Sequence, residues 1–259
     1  MSSLKQNQVA DAETADSAWK TLYKVAGVAA LVAMSANLLD VILGFGETEI
    51  FTYGAKTATD WFALFRDNWF KGLYTLGILN IVYMTCMAPI YYALYGAHRR
   101  KNSTAAALAM ILFLVGMTIY ISNNAAIPML VLSGKYAAAA TDAQRTLFAA
   151  AGEAVLAQGE DFTPGSFIGL ILSGIAAITI SIVMLRGRIF GKPTAWIGIA
   201  GFSFLSMFTI LSTFVPALYL IAFYVFGMIG GLLALSWFLL VARRFFQLGR
   251  LEKEELVLR

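Results

Sequence analysis

Asn37 and Asp40, three residues apart, interrupt an otherwise apolar run near the N-terminus. On a helix they share a face. A carboxylate inside an apolar segment is expensive enough to need a partner or a purpose. It suits attraction of a cationic or amine-bearing ligand, or uptake of a proton during transport. Asn80 and the adjacent pair Asn123 and Asn124 break later apolar runs, and Tyr83, Tyr120 and Tyr224 fall within a turn or two of the same depth. The candidate ligand-binding set is therefore Asn37, Asp40, Asn80, Tyr83, Tyr120, Asn123, Asn124 and Tyr224, with Asp40 as its one acid. Each has a plainer alternative, because Asn, Ser and Thr also bond between neighbouring membrane helices. Asn80 and the stripe Ser206, Thr209, Ser212 and Thr213 suit that plainer role better. Pro128 cannot donate to the carbonyl of Asn124, so the asparagine pair could equally stitch a kink.

The composition says what must position these residues. A soluble domain is about 45–50% apolar and about 25% charged, whereas this chain of 259 residues is 59% hydrophobic and 13% charged. Such a balance excludes an ordinary soluble enzyme and a disordered chain. The net charge of +4 comes from short basic clusters between apolar runs, which excludes a nucleic-acid partner. A single cysteine, Cys86, and a single histidine, His98, leave no thiolate metal site, disulfide framework or haem ligand pair.

The fold class is all-α, a polytopic transmembrane helix bundle. About 20 apolar residues cross the hydrocarbon core, and six spans are expected. The first runs from about Leu22 to Phe45, and the second lies between Lys71 and His98. The third lies between Lys101 and Lys135, an uncharged stretch of 33 residues that should break near Pro128. The fourth covers about Phe167 to Leu185. A charge-free run of 50 residues from Pro193 to Ala242 is divided by Pro216 into the fifth and sixth. The transmembrane domain thus covers 19–245, with a soluble tail at 1–18, a second tail at 246–259, and large loops at 46–71 and 134–166. His98-Arg99-Arg100-Lys101, Arg186, Arg188, Lys192, Arg243 and Arg244 all fall at one side, where 14 of the 19 basic residues gather. By the positive-inside rule both termini are cytoplasmic, and the expected location is the inner (plasma) membrane.

Both outer loops read as amphipathic helices. Trp61, Phe65 and Trp69, with Phe62 and Phe70, are spaced to share one helical face. Thr141-Asp142-Ala143-Gln144 has capping-box spacing and opens an alanine-rich helix to about Gln158, with Leu147, Phe148, Ala151 and Val155 on one side. Asp60 with Asp67, and Glu160 with Asp161, look like solvated acid pairs. No phosphate loop, His-Glu-x-x-His or Gly-x-Ser-x-Gly elbow occurs, and no cofactor is assigned.

Two stretches resemble a known family. One is Ala140-Thr141-Asp142-Ala143-Gln144-Arg145, continuing through Ala149-Ala150-Ala151-Gly152-Glu153-Ala154. The other runs from Leu185-Arg186-Gly187-Arg188 through Lys192-Pro193-Thr194-Ala195-Trp196 to Gly201. Both are similar to a prokaryotic family of small integral membrane proteins catalogued as a domain of unknown function. The resemblance implies a six-helix topology and carries no catalytic residue. The aromatic segment 59–70 finds no counterpart in it. The sequence therefore supports two readings. One is a membrane protein that binds or transports a small molecule or lipid in a polar pocket. The alternative is a non-catalytic accessory or scaffold subunit of a larger membrane complex, or a homo-oligomer.

Overall fold

The computed structural model describes residues 17–45 and 56–250. Of the tail read over 1–18, residues 1–16 lie outside the described residues, as do the loop part 46–55 and the tail beyond 250, while 17 and 18 already belong to the first helix. The rest is all helical. Helix α1 is Ser17–Phe45, α2 Ala58–Asp67, α3 Trp69–Thr75, α4 Ile78–Asn123 and α5 Ala126–Ala137. Helix α6 is Asp142–Gly159, α7 Pro164–Gly187 and α8 Lys192–Phe214. A 3-10 turn at Pro216–Leu218, one helical turn at Tyr219–Ile221 and a π-helical stretch at Ala222–Gly227 lead into α9, Met228–Arg250.

Five helical runs among the described residues are long and apolar enough to cross a membrane. They are Ala18–Leu43, Ile78–Ala137, Asp142–Gly187, Lys192–Phe214 and Pro216–Arg250. The longest is not one rod. At 1.5 Å per residue α4 would measure about 69 Å, over twice the hydrocarbon thickness of about 30 Å. It bends at Asn102 (φ −151°, ψ 68°), directly after the basic cluster, and the Asn102 side chain accepts from the Ala105 N–H at 3.4 Å. Tyr91 and Phe113, on opposite sides of the bend, stack with ring centroids 4.2 Å apart, so the two arms of α4 run back along each other.

α7 packs on α4, α8 on α7 and α9 on α8, while α1 closes the ring between α9 and α4. Small residues set close crossings. A Cβ on Gly116 would meet the Gly169 carbonyl oxygen and Ser173 Oγ at 2.8 Å, so both backbones depend on the missing side chains. At the end of the bundle that carries the basic clusters, rings hold the helices together. Tyr23 stacks on Phe245 at 6.0 Å and Arg99 lies over Trp19 at 4.6 Å. Arg244 Nε donates to the Ile189 carbonyl at 2.8 Å. His98, expected to be a simple interfacial charge, is instead buried, with its ring against Phe190 and Nδ1 2.9 Å from the Leu94 carbonyl.

The opposite end is capped by α2, α3, α5 and α6, which form a second apolar core around Trp61, Phe62, Phe65, Met129 and Leu156. Three expectations change here. The break expected near Pro128 falls earlier, at Asn124 and Ala125, and Pro128 sits in the first turn of α5, where no backbone donor is missed. The aromatic face expected along 59–70 is split at Asn68, whose side chain accepts from the Lys71 N–H and starts a new helix. Trp61, Phe62 and Phe65 are therefore buried against the cap, while Trp69 and Phe70 are exposed. On α6 the packed residues are Gly152, Leu156 and Gly159, and Leu147 points out.

A capping box closes α2: Asp60 Oδ2 accepts from the Thr57 N–H and hydroxyl at 2.8 and 2.7 Å, which holds its carboxyl below the usual range. Glu153 of α6 accepts from the Ala58 N–H at 2.6 Å and fastens α2 to α6. The Gly116–Gly169 crossing gives a direct stability prediction. Gly116→Ile should lower unfolding free energy in detergent by about 1–3 kcal/mol, the usual cost of overpacking. Gly134→Ala, where a Cβ meets nothing within 4 Å, should leave stability equal or slightly raised. Thermal melts monitored by circular dichroism check both.

Candidate functional site

Between the capped end and mid-bundle the helices enclose a cavity of about 440 Å³, within the range of about 300–1,000 Å³ usual for ligand sites. Asn37, Asp40 and Val41 reach it from α1, and Asn80, Tyr83, Met84, Met87 and Tyr91 from the first arm of α4. Phe113 and Tyr120 come from the second arm, Ser173 and Gly174 from α7, and Phe202, Ser206 and Phe208 from α8. Tyr219, Phe223, Gly227 and Gly231 line it from the last helical run. Lys56, Trp61, Lys71, Glu160, Asp161 and Phe162 cover its capped end.

Asp161 organises that end. It lies in the short linker between α6 and α7, and both carboxylate oxygens are held. Tyr120 Oη donates to Oδ1 at 2.6 Å and Asn80 Nδ2 to Oδ2 at 3.1 Å. Gly77, in the left-handed region at φ 82°, lies beneath this knot. A Cβ there would meet Asn80 Nδ2 at 3.3 Å, Asn124 Nδ2 at 3.4 Å and Asp161 Oδ2 at 3.6 Å. The next linker residue, Phe162, also adopts a left-handed backbone (φ 60°), an outlier for a bulky residue. Its ring packs edge-on against Phe208 at 4.8 Å, which holds the linker over the cavity mouth.

Residues 55–242 match the family model described as Domain of unknown function (DUF4386). The chain belongs to that family. The DUF4386 match includes the aromatic segment 59–70, which the two resembling stretches left out, and it spans the cap and the cavity-lining helices other than α1, which carries Asn37 and Asp40. No curated protein and no solved structure matches the chain.

Of the eight residues singled out from sequence, five line the cavity: Asn37, Asp40, Asn80, Tyr83 and Tyr120. Three do not. Tyr224 is exposed on the bundle exterior, one residue round the helix from Phe223, which does line the cavity. Asn123 Nδ2 donates to the Gly165 carbonyl at 2.9 Å and its Oδ1 accepts from Gln158 Nε2 at 3.1 Å. Asn124 is buried; its Oδ1 accepts from the Ala126 N–H at 3.0 Å, and its Nδ2 reaches the Leu76 and Gly77 carbonyls. These two asparagines stitch the break between α4 and α5 to the cap.

The acids missed from sequence are Glu160 and Asp161, which look like a solvated pair but line the cavity. Their one sequence signal is position, one residue ahead of Thr163-Pro164 at a helix start. Asp161 lies near enough to Asp40 to act on it electrostatically. Among the described residues, Asn37 and Asp40 make no hydrogen bond or ion pair. The buried hydroxyls of Tyr91 and Ser206, both lining the cavity, also have no hydrogen-bond partner. An unbonded carboxylate and two unbonded hydroxyls in one enclosed space amount to unmet polar capacity.

Asn124→Ala should cost about 1–3 kcal/mol of stability, because buried backbone groups lose their partners. Asn37→Ala should leave the melting temperature unchanged. Gly77→Ala should destabilise by more than about 1 kcal/mol, since alanine is strained at positive φ. Detergent melts of the three variants measure this division between stitching and cavity residues.

Proposed function

We propose that this protein binds, and as a carrier moves, a small molecule or lipid in the cavity around Asp40. The observation that carries this reading is the unbonded Asp40 carboxylate in an enclosed, aromatic-walled space. The accessory-subunit alternative expects the polar groups to satisfy one another. Asn80, Tyr120 and Asp161 do so, but Asn37 and Asp40 do not. In our reading the two arms of α4 are separate spans, giving six in all. The basic end then faces the cytoplasm and the cap faces outward from the inner membrane, as the positive-inside rule favours.

Purification in mild detergent, followed by mass spectrometry of co-purifying molecules, tests the function. The native chain should retain an organic molecule, and Asp40→Asn should retain about tenfold less, the loss of one charged contact. Equal retention by both would overturn the reading, and a co-purifying protein without a small molecule would favour the subunit alternative. Orientation is checked separately in a Cys86→Ser background. A cysteine placed at Ser103 should be shielded from a membrane-impermeant thiol reagent in intact cells, and one placed at Thr146 should react.

A further inference from the structure

The cavity has a direction. At the capped end lie the carboxylates of Asp40, Glu160 and Asp161, the ammonium groups of Lys56 and Lys71, and the amides of Asn37 and Asn80. Lys56 acts on Glu160, and Asp161 is bonded to Asn80 and Tyr120, so among the described residues Asp40 is the carboxylate left without a bonded partner. Tyr91 lies fourteen residues beyond Gly77 on the same arm, about 21 Å deeper at 1.5 Å per residue. Between those levels the walls are mainly apolar, with Met84, Met87, Phe113, Leu170, Ala177 and Phe202, and the polar atoms among them are the hydroxyls of Tyr83, Ser173, Ser206 and Thr209. The space is therefore a charged head site continuing into a mainly apolar slot. That shape and polarity suit a molecule with one cationic end and one apolar chain, and suit a compact polar solute badly.

The ring of helices is also uneven. α1 and α9 pack closely at the basic end, where Tyr23 meets Phe245 and a Cβ on Gly27 would strike Phe246 at 2.9 Å. Toward the capped end the π-helical stretch packs on α8 and α9, and its packing against α1 is not substantial. Val41 on α1 lines the cavity and is 43% exposed. Across from it, Gly231 lines the cavity from α9, and a Cβ there would meet nothing within 4 Å. Leu38 and Ile42 on one side, with Ile221 and Val225 on the other, are exposed apolar residues. π-Helical turns inside α-helices are frequent at functional sites, and this one forms the edge of the gap.

We propose that the cavity takes a single-chain amphiphile with an amine head, which enters from the bilayer through the gap between α1 and the π-helical stretch. The head sits against Asp40 and the chain lies along the slot toward Tyr91. This rests on the binding function proposed above and adds the ligand class and its route.

The test uses the full chain in nanodiscs with three probes: dodecylamine, dodecanol and butylamine. Binding is read by tryptophan fluorescence and stopped-flow association. Dodecylamine should bind about tenfold or more tightly than dodecanol, since the charged contact is missing from the alcohol. Butylamine should bind least, lacking the chain that fills the slot. Asp40→Asn should reduce dodecylamine affinity to the dodecanol level. Gly231→Trp, which narrows the gap, should slow dodecylamine association about tenfold, while Gly134→Trp, outside the cavity, should not. The melting temperatures of both tryptophan variants confirm that they fold.

Butylamine binding as tightly as dodecylamine would overturn the amphiphile class, as would dodecanol matching dodecylamine. An unchanged association rate in Gly231→Trp would overturn the lateral route. Absence of binding by all three probes would overturn the proposal as a whole. In each case retention of a co-purifying molecule that depends on Asp40 would leave the broader binding function standing.

Discussion

Everything at the capped end depends on the hydrogen bonds of Asp161. Its carboxylate ties Asn80 on the first arm of α4 to Tyr120 on the second, from a linker belonging to neither. A polar group in apolar surroundings cannot turn to water, so it must be bonded within the protein. Once Asp161 is held, the linker that carries it is held as well. With it come Phe162 over the mouth and the last turn of α6, whose Gly159 packs against the α4 break: a Cβ there would overlap the backbone at Asn123. Asn124 extends the tie to the Leu76 and Gly77 carbonyls. The cap is thus anchored by polar bonds at its base and by its own apolar core above.

The two ends of the bundle solve different problems. At the basic end, aromatic rings and small residues close the helices on one another. At the capped end the helices spread, and side chains of α2, α3, α5 and α6 fill space that the spans alone would leave open. That cap buries Trp61, Phe62 and Phe65, so it is part of the packed fold and not a loose surface layer. The difference leaves α1 firmly seated over its first half and sparsely packed around Asn37 and Asp40.

The sequence made much of this legible. Apolar run lengths identify membrane-crossing helices, and the spacing of Asn37 and Asp40 directs both to the same space. The capping signal at Thr141 marks where one cap helix begins. What stayed hidden required knowledge of contacts far along the chain. Glu160 and Asp161 sit among loop residues with the appearance of a solvated pair, and only the fold of α6 onto the α4 break turns them inward. Asn68 reads as a polar residue on an amphipathic face until its capping bond to Lys71 divides that face in two. Tyr224 has the right depth but the wrong azimuth, because a helix that is apolar all round gives no sign of which face turns inward.

That π-helical turn also bears on which changes of chain length the fold tolerates. A π-turn accommodates one residue more than the α-helical path would need. Removing a single residue between Ala222 and Gly227 would let the backbone relax into an ordinary α-helix, with better hydrogen-bond geometry and no loss of apolar character. Because the turn takes up that residue locally, the helical residues on either side would keep their bearing, and only side chains within the turn, Phe223 and Tyr224 among them, would shift. The shorter chain would be the more regular membrane helix, and its cavity wall would change at Phe223. For this segment, the count of residues matters as much as their kind.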